Sequence, residues 1–288
     1  FSEPALLEIE RLHRRFGGYS VFPARPLRFL ENLRRDWAAI QGGDMPRMIA
    51  ADDVAAAFSR ETGLPLWMLD ERVPLNLDDA RRWVAARVLG QPEAVDLVVS
   101  LLAMLKTQLN REERPLAGLL FIGPTGVGKT EMAKTLAEFL FGAGQSSDSR
   151  LIRIDMSEYA DPLAVQRLIG GTASAEGILT ARVREQPFSV VLLDEFEKAH
   201  ESLFDLLLQV LGEGRLTDAA GRVADFRNSV IIMTSNLGAA TYGRGTVGFG
   251  LTQAEAELAR HHFEREVRGF LRPELFNRID RIVPFLPL

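Results

Sequence analysis

Short apolar runs and longer amphipathic stretches alternate through most of this chain. Leu119–Ile122, Leu151–Ile154, Val190–Leu193, Val230–Met233 and Ile282–Phe285 are strongly apolar and mostly β-branched, aromatic or leucine. Each is too short for a helix and reads as a strand. The segments between them carry apolar residues at helical spacing. After the first run, for example, Met132, Ala133, Leu136, Phe139 and Leu140 share one face, and Gly142 closes the helix. Apolar strands that alternate with helices predict an α/β fold: a parallel sheet covered by helices on both faces.

The front of the chain has a different pattern. Leu6, Leu7, Ile9, Leu12 and Phe16 form one helical stripe that Gly17-Gly18 ends, and Pro23 and Pro26 punctuate a loop. Leu27, Leu30, Leu33 and Trp37 form a second stripe, closed by Gly42-Gly43. A third helix is expected from Ala51 to about Glu61, with Asp52 or Asp53 near its cap and Thr62-Gly63-Leu64-Pro65 as its stop. Residues 1–72 are therefore expected to be a small all-helical segment and 73–288 an α/β domain. Pro74 to Asp79 reads as a linker, with Asp78 as N-cap of a helix over Ala80–Val88. Pro92 opens a long amphipathic helix to about Asn110, and Gln145–Ser149 is a polar loop.

Chemistry enters with Gly123-Pro124-Thr125-Gly126-Val127-Gly128-Lys129-Thr130. It fits G-x-x-x-x-G-K-[ST] and lies between an apolar strand and a helix, the context a phosphate-binding loop needs. The glycines let successive N–H groups turn toward phosphate oxygens, and the following helix adds its positive end. Lys129 is placed to neutralise the β- and γ-phosphates of ATP, and the Thr130 hydroxyl to coordinate Mg²⁺. Hydrolysis needs more. Val190-Val191-Leu192-Leu193-Asp194-Glu195 is a buried strand that ends in two acids, at the strand ends where a parallel sheet places its ligand crevice. Asp194 fits as the acid that holds Mg²⁺, and Glu195 as the base that polarises the attacking water. Asn236, at the end of another apolar strand, is placed to orient that water or touch the γ-phosphate. Near the end, Arg272 and Arg278 are both candidates for stabilising charge on a transferring phosphoryl group, and spacing alone does not choose between them.

Composition narrows the classes. The net charge of −5 and the lack of a basic block argue against a nucleic-acid face. There is no cysteine, hence no disulfide framework and no thiolate zinc site. His13, His200, His261 and His262 lack metal-ligand spacing and read as ordinary surface or interface residues. No apolar run is long enough for a membrane span and no signal peptide opens the chain, so the cytoplasm is the expected compartment. Phe1 at one end and an apolar segment at the other make both ends read as cut from something longer.

Together these segments resemble the Clp-type AAA+ ATPases, specifically the second ATPase module of the ClpA, ClpB and ClpC unfoldases and disaggregases. The resemblance rests on Arg87-Val88-Leu89-Gly90-Gln91, the phosphate loop, Arg153-Ile154-Asp155-Met156-Ser157-Glu158-Tyr159, Leu192 to His200, Gly214 to Asp218, Asp225 to Asn228, Thr234 to Gly238 and Arg272 to Asp280. It covers about Arg81 to Leu288. It implies that Val88 and Leu89 pack against adenine and that Gly123 to Thr130 hold the phosphates. It also implies that Asp194 and Glu195 form the acidic pair, that Asn236 is the first sensor, and that Arg278 is an arginine finger reaching a neighbouring subunit's nucleotide. A hexameric homo-oligomeric ring that uses ATP and Mg²⁺ to pull protein substrates through a pore follows from the family, with no nucleic-acid or membrane partner. Residues 1–72 resemble the lid of a preceding module, and 73–288 the large domain.

The chain departs from the family in three places. The family's aromatic pore loop, glycine-tyrosine-valine-glycine, is expected after Leu168-Ile169-Gly170, where this chain reads Gly171-Thr172-Ala173-Ser174-Ala175-Glu176-Gly177. That stretch supports an alternative, a nucleotide-switched binding or scaffold module that threads nothing; Cα spacing across Thr172 to Glu176 would discriminate the two. The C-terminal lid with its second sensor arginine is absent. Val247-Gly248-Phe249 lies where protease-partnered relatives dock a ClpP-like peptidase.

Overall fold

The structure, a computed structural model, describes residues 1–16, 23–40, 48–107, 113–142, 150–171, 176–242 and 253–287. Its centre is a five-stranded sheet. The strands are β1 (Ala117–Ile122), β2 (Leu151–Asp155), β3 (Val190–Asp194), β6 (Val230–Ser235) and β7 (Arg281–Pro284), in the order β2-β3-β6-β1-β7. Every pairing in this sheet is parallel, as the alternation of strand and helix patterns predicts. The three inner strands are buried at every residue, whereas β2 at the edge alternates.

The pleat divides the core. Leu119, Phe121, Val190, Leu192, Val230 and Ile232 point into one apolar cluster. It is shared with helices α1 (Glu3–Phe16), α2 (Ala24–Ile40), α3 (Ala51–Thr62), α4 (Leu66–Leu69), α5 (Leu77–Ala85), α6 (Pro92–Thr107) and α7 (Lys129–Phe141). Leu120, Ile122, Val191, Leu193, Ile231 and Met233 point the other way. They meet α8 (Pro162–Ile169), α9 (Ile178–Glu185), α10 (Ser202–Glu213), α12 (Gln253–Phe270) and α13 (Pro273–Phe276); α11 (Ala239–Tyr242) is a single turn after β6. The period-two alternation thus sends successive residues to opposite helical layers. No described helix is long and apolar enough to cross a membrane.

Several boundaries differ from the sequence reading. The N-cap of α5 is Asn76, whose Oδ1 accepts from the N–H groups of Asp78 and Asp79 at 3.1 and 3.2 Å. The helix therefore starts three residues before Ala80, and Asp78 complements the helix dipole from inside the first turn. Pro26 lies in the first turn of α2, where its missing N–H leaves nothing unpaired. A two-stranded antiparallel sheet, β4 (Arg215–Thr217) with β5 (Val223–Asp225), was not anticipated. His13 is buried, not superficial: its Nδ1 pairs with Ile9 O at 2.8 Å and its ring meets Phe29 and Phe58 edge-on.

The front helices share the core of the sheet's first face. Phe16 approaches Phe188, and Asn228 Nδ2 donates to Phe16 O at 3.2 Å. Gly63 ends α3 with φ of 78°, and a Cβ there would meet Phe141 O at 2.9 Å, so the glycine permits contact with the end of α7.

Candidate functional site

The parallel register brings the C-terminal ends of β1, β3 and β6 to one edge. Ile122 pairs with Ser235, and Leu193 with Met233. The phosphate-type loop, the Asp194-Glu195 pair and Asn236 therefore leave the sheet side by side.

The loop runs from Gly123 to Gly128, which precedes the first residue of α7. Gly123 has φ of 151°, and a Cβ there would come within 2.2 Å of Phe285 O; no other residue type fits this approach. Gln91, buried beside the loop, donates to Val127 O and Leu286 O at 3.2 and 2.8 Å. Its Oε1 accepts from Leu286 N at 3.0 Å, so one side chain ties the loop to the chain after β7. Val88 is buried and would lie 3.5 Å from a Cβ on Gly128. Leu89, its companion in the expected adenine contact, is 71% exposed.

Lys129 folds back over its own loop. Nζ donates to Gly123 O at 2.6 Å, Pro124 O at 2.7 Å and Asn236 Oδ1 at 2.8 Å. Burial pushes its pKa down to about 8, against the opposing pull of Glu197, Asp194 and Glu195. The lysine is a desolvated cation facing three acids, so the loop amides, the positive end of α7 and an accompanying cation must offset their charge for a polyphosphate to enter.

Asp194 is buried at the end of β3 with both oxygens engaged. Thr234 Oγ1 donates to Oδ1 at 2.5 Å, and Arg153 from β2 pairs with Oδ2 at 2.6 Å. The Thr234 hydroxyl also accepts from Glu195 N at 3.0 Å. Glu195 has φ of 54°, the one positive value among the described non-glycine residues. That conformation costs about 1–3 kcal/mol and recurs where a side chain must be aimed at chemistry. Asn236 is the meeting point. Its Oδ1 accepts from Lys129 and, at 3.4 Å, from Thr125 Oγ1, while Nδ2 faces Glu195 Oε1 at 3.4 Å.

Of the residues singled out from the sequence, Gly123 to Thr130, Val88, Asp194, Glu195 and Asn236 come together. Arg278 does not. Its backbone lies beside Gly118, near the start of β1, and Gly118 is five residue steps along the strand from Gly123, roughly 16 Å. Its guanidinium donates to Leu208 O at 2.9 Å and fills the space over Gly212. Arg272 is engaged by Asp205. Sequence reasoning gave no task to Arg153, Thr234, Glu197 or Gln91. The signal for Thr234 was a polar residue ending an apolar strand; the others act across elements and leave no local pattern. Val247-Gly248-Phe249 and Thr172–Ala175 lie outside the described residues.

The residues at this edge present hard oxygen donors, Asp194 and the Thr130 hydroxyl, and Asp194 already holds a cationic partner. This donor chemistry fits Mg²⁺ bound jointly with phosphate oxygens, as that ion prefers. Among the described residues no group of three or more His, Cys, Asp or Glu forms a metal cage, so protein side chains alone do not enclose an ion there.

Residues 114–282 match the family model described as AAA domain (Cdc48 subfamily). Chaperone protein ClpB of Oceanobacillus iheyensis is 42% identical over 264 residues, 89% of this chain and 32% of that protein. The negative regulator of genetic competence ClpC/MecB of Bacillus subtilis is 41% identical over 265 residues, again 89% of this chain and 32% of the relative. Among solved structures, the S. cerevisiae Hsp104:casein complex in its extended conformation superposes with a TM-score of 0.79 at 32% identity, covering 99% of this chain and 48% of that one. The chain thus spans about a third of the ClpB and ClpC relatives and about half of the Hsp104 chain.

Proposed function

This chain belongs to the AAA domain (Cdc48 subfamily) family, of the Clp type, and from that premise we propose that it is an ATPase module of a protein-remodelling motor. It hydrolyses ATP to ADP and phosphate and couples that step to unfolding or disaggregation of protein substrates. The observation that carries the reading is the bridge through Asn236, which joins the loop lysine to the strand-end glutamate.

The residues divide the work. The loop N–H groups and the positive end of α7 receive the phosphates. Lys129 exchanges the Gly123 and Pro124 carbonyls for β- and γ-phosphate oxygens, which repays its desolvation. Asp194 and Thr130 hold Mg²⁺, which when bound neutralises charge on the phosphates. Glu195 takes the proton side of the attacking water, and Asn236 fixes that water's position relative to the γ-phosphate. Val88 and Leu89 receive the adenine, covering the exposed Leu89. Arg278, remote from its own loop, serves a neighbouring subunit's nucleotide.

In this reading residues 1–72 are the lid of a preceding module and 73–288 the nucleotide-binding domain. The working form is a hexameric ring in the cytoplasm, and Val247-Gly248-Phe249 is a docking point for a ClpP-like peptidase. The relatives, a chaperone protein and an Hsp104:casein complex among them, favour remodelling over the scaffold alternative. Glu195→Gln tests the chemistry: the variant should bind ATP at near wild-type affinity while turnover falls by at least about 10²-fold. Hydrolysis at the wild-type rate would remove Glu195 from the role.

A further inference from the structure

A third carboxylate lies two residues beyond Glu195. Glu197 sits in the short turn Phe196–Lys198, which the chain enters through the left-handed Glu195. That reversal returns Glu197 to the ends of β3 and β6. Its Oε1 accepts from the backbone N–H of Asn236 at 3.0 Å. Its Oε2 is buried without a hydrogen-bond partner. An unpartnered buried carboxylate oxygen is unfavourable, and a side chain needed only for packing would be better apolar.

The N–H it holds is a special one. The last paired residue of β6 is Ser235, opposite Ile122. Asn236 is the first residue past the ladder, so its N–H finds a carboxylate and not a strand. Its side chain is short, and where the backbone nitrogen is pinned decides where the amide reaches. That amide contacts Lys129, Thr125 and Glu195 at 2.8, 3.4 and 3.4 Å.

We propose that Glu197 is a positioning residue for hydrolysis: by holding the Asn236 N–H beyond the last rung of β6, it aims the Asn236 amide between the phosphate loop and Glu195. The inference rests on the ATPase reading above. It adds a positioning member to the site; the Glu197 charge also bears on Lys129, and the Gln variant, which keeps the acceptor and removes the charge, separates the two effects.

The test is steady-state ATP turnover of Glu197→Ala, Glu197→Gln, Asn236→Ala and the double variant Glu197→Ala/Asn236→Ala. Glu197→Ala should lower kcat by about 10- to 100-fold, because a misplacement of the order of 1 Å is enough for that. The KM for ATP should move by less than about threefold, since the lost contact matters in the transition state. Glu197→Gln, whose amide oxygen still accepts, should recover most of the loss. In the Asn236→Ala background, removing Glu197 should cost less than about twofold, because the two act as one unit. If Glu197→Ala does not fold, Glu197→Asp takes its place; it keeps the charge but withdraws the oxygen by one methylene, and should lose turnover likewise. A Glu197→Ala protein with wild-type kcat, a Gln variant as impaired as the Ala, or full additivity in the double variant would each overturn the inference. A wild-type chain that does not hydrolyse ATP would instead overturn the ATPase reading itself.

Discussion

His13 shows how a polar residue can belong to a core. It follows Ile9 by one helical turn and precedes Phe16 by three residues, so it lies on the inward face of α1. Its Nδ1 bonds Ile9 O, and Phe29 and Phe58 flank its ring at 5.2 and 5.3 Å. Burial lowers its pKa first, and Arg25 adds to that, while the Ile9 carbonyl and Glu61 oppose it. The folded chain therefore binds fewer protons than the unfolded chain as pH drops through the ordinary histidine value. The corresponding stability is fully present above about pH 6.5 and declines as pH falls toward the lowered folded value. Melting temperature followed from pH 7.5 to 5 should drop on acidification, and His13→Phe should flatten the part of that slope that belongs to this site. Parallel slopes in the two proteins would sink the assignment. The same scale explains what could be read from the sequence. Lys129, Asp194, Glu195 and Asn236 announced themselves because each ends or follows a strand in a fixed local pattern. Glu197 and Arg153 did not, because their partners are 39 and 41 residues away and meet them only across the sheet.

At the scale of elements, five strands were legible: the three inner ones as runs apolar on both faces, and β2 and β7 at the edges as short β-rich runs between helical patterns. The β4–β5 pair was not: each strand has three residues, with only Leu216 and Ala224 buried. Equally hidden was the device that joins the front helices to the sheet. Lys106, in the last turn of α6, places Nζ within hydrogen-bond distance of four backbone carbonyls of the connecting segment, those of Trp67, Asp70, Glu71 and Val73, at 2.8, 2.9, 3.2 and 2.7 Å, shared among its three N–H donors. Arg11 of α1 reaches Leu69 O from the other side at 2.5 Å. Carbonyls of α4 and of the turn after it are thus gathered by one ammonium, and the connection becomes a fixed strut between α4 and α6. Lys106→Met keeps most of the stem and removes the donor, so it should destabilise the chain by about 1–3 kcal/mol, the range for hydrogen bonds to a charged group. The loss should be local as well as global. Amide exchange at Asp70 and Val73, which donate to Leu66 O and Asp70 O, should quicken more than exchange in β1 or β6. Unchanged protection at these two amides would show that the crown of carbonyls is not what holds the segment.

For the whole molecule the decisive residue is Arg278. The sheet separates it from its own phosphate loop by most of the length of β1, and its guanidinium rests on α10 over Gly212. A purely structural role would make Arg278→Ala a stability variant, losing one hydrogen bond worth about 1 kcal/mol. A role in the neighbour's site would lower turnover by up to ~10³-fold and leave the nucleotide affinity of a separated subunit intact. Mixing distinguishes the two. Subunits with Arg278→Ala keep Glu195, and subunits with Glu195→Gln keep Arg278. In a mixed ring, sites formed by the Glu195 of the first and the Arg278 of the second are complete. Combining two inactive proteins should therefore restore ATP turnover, most at near-equal proportions, and the restored rate should rise with total protein concentration as subunits associate. If Arg278 acts only within its own chain, no mixture exceeds the sum of its parts. That outcome would confine the active site to a single chain and remove the reason to place half of it on a neighbour.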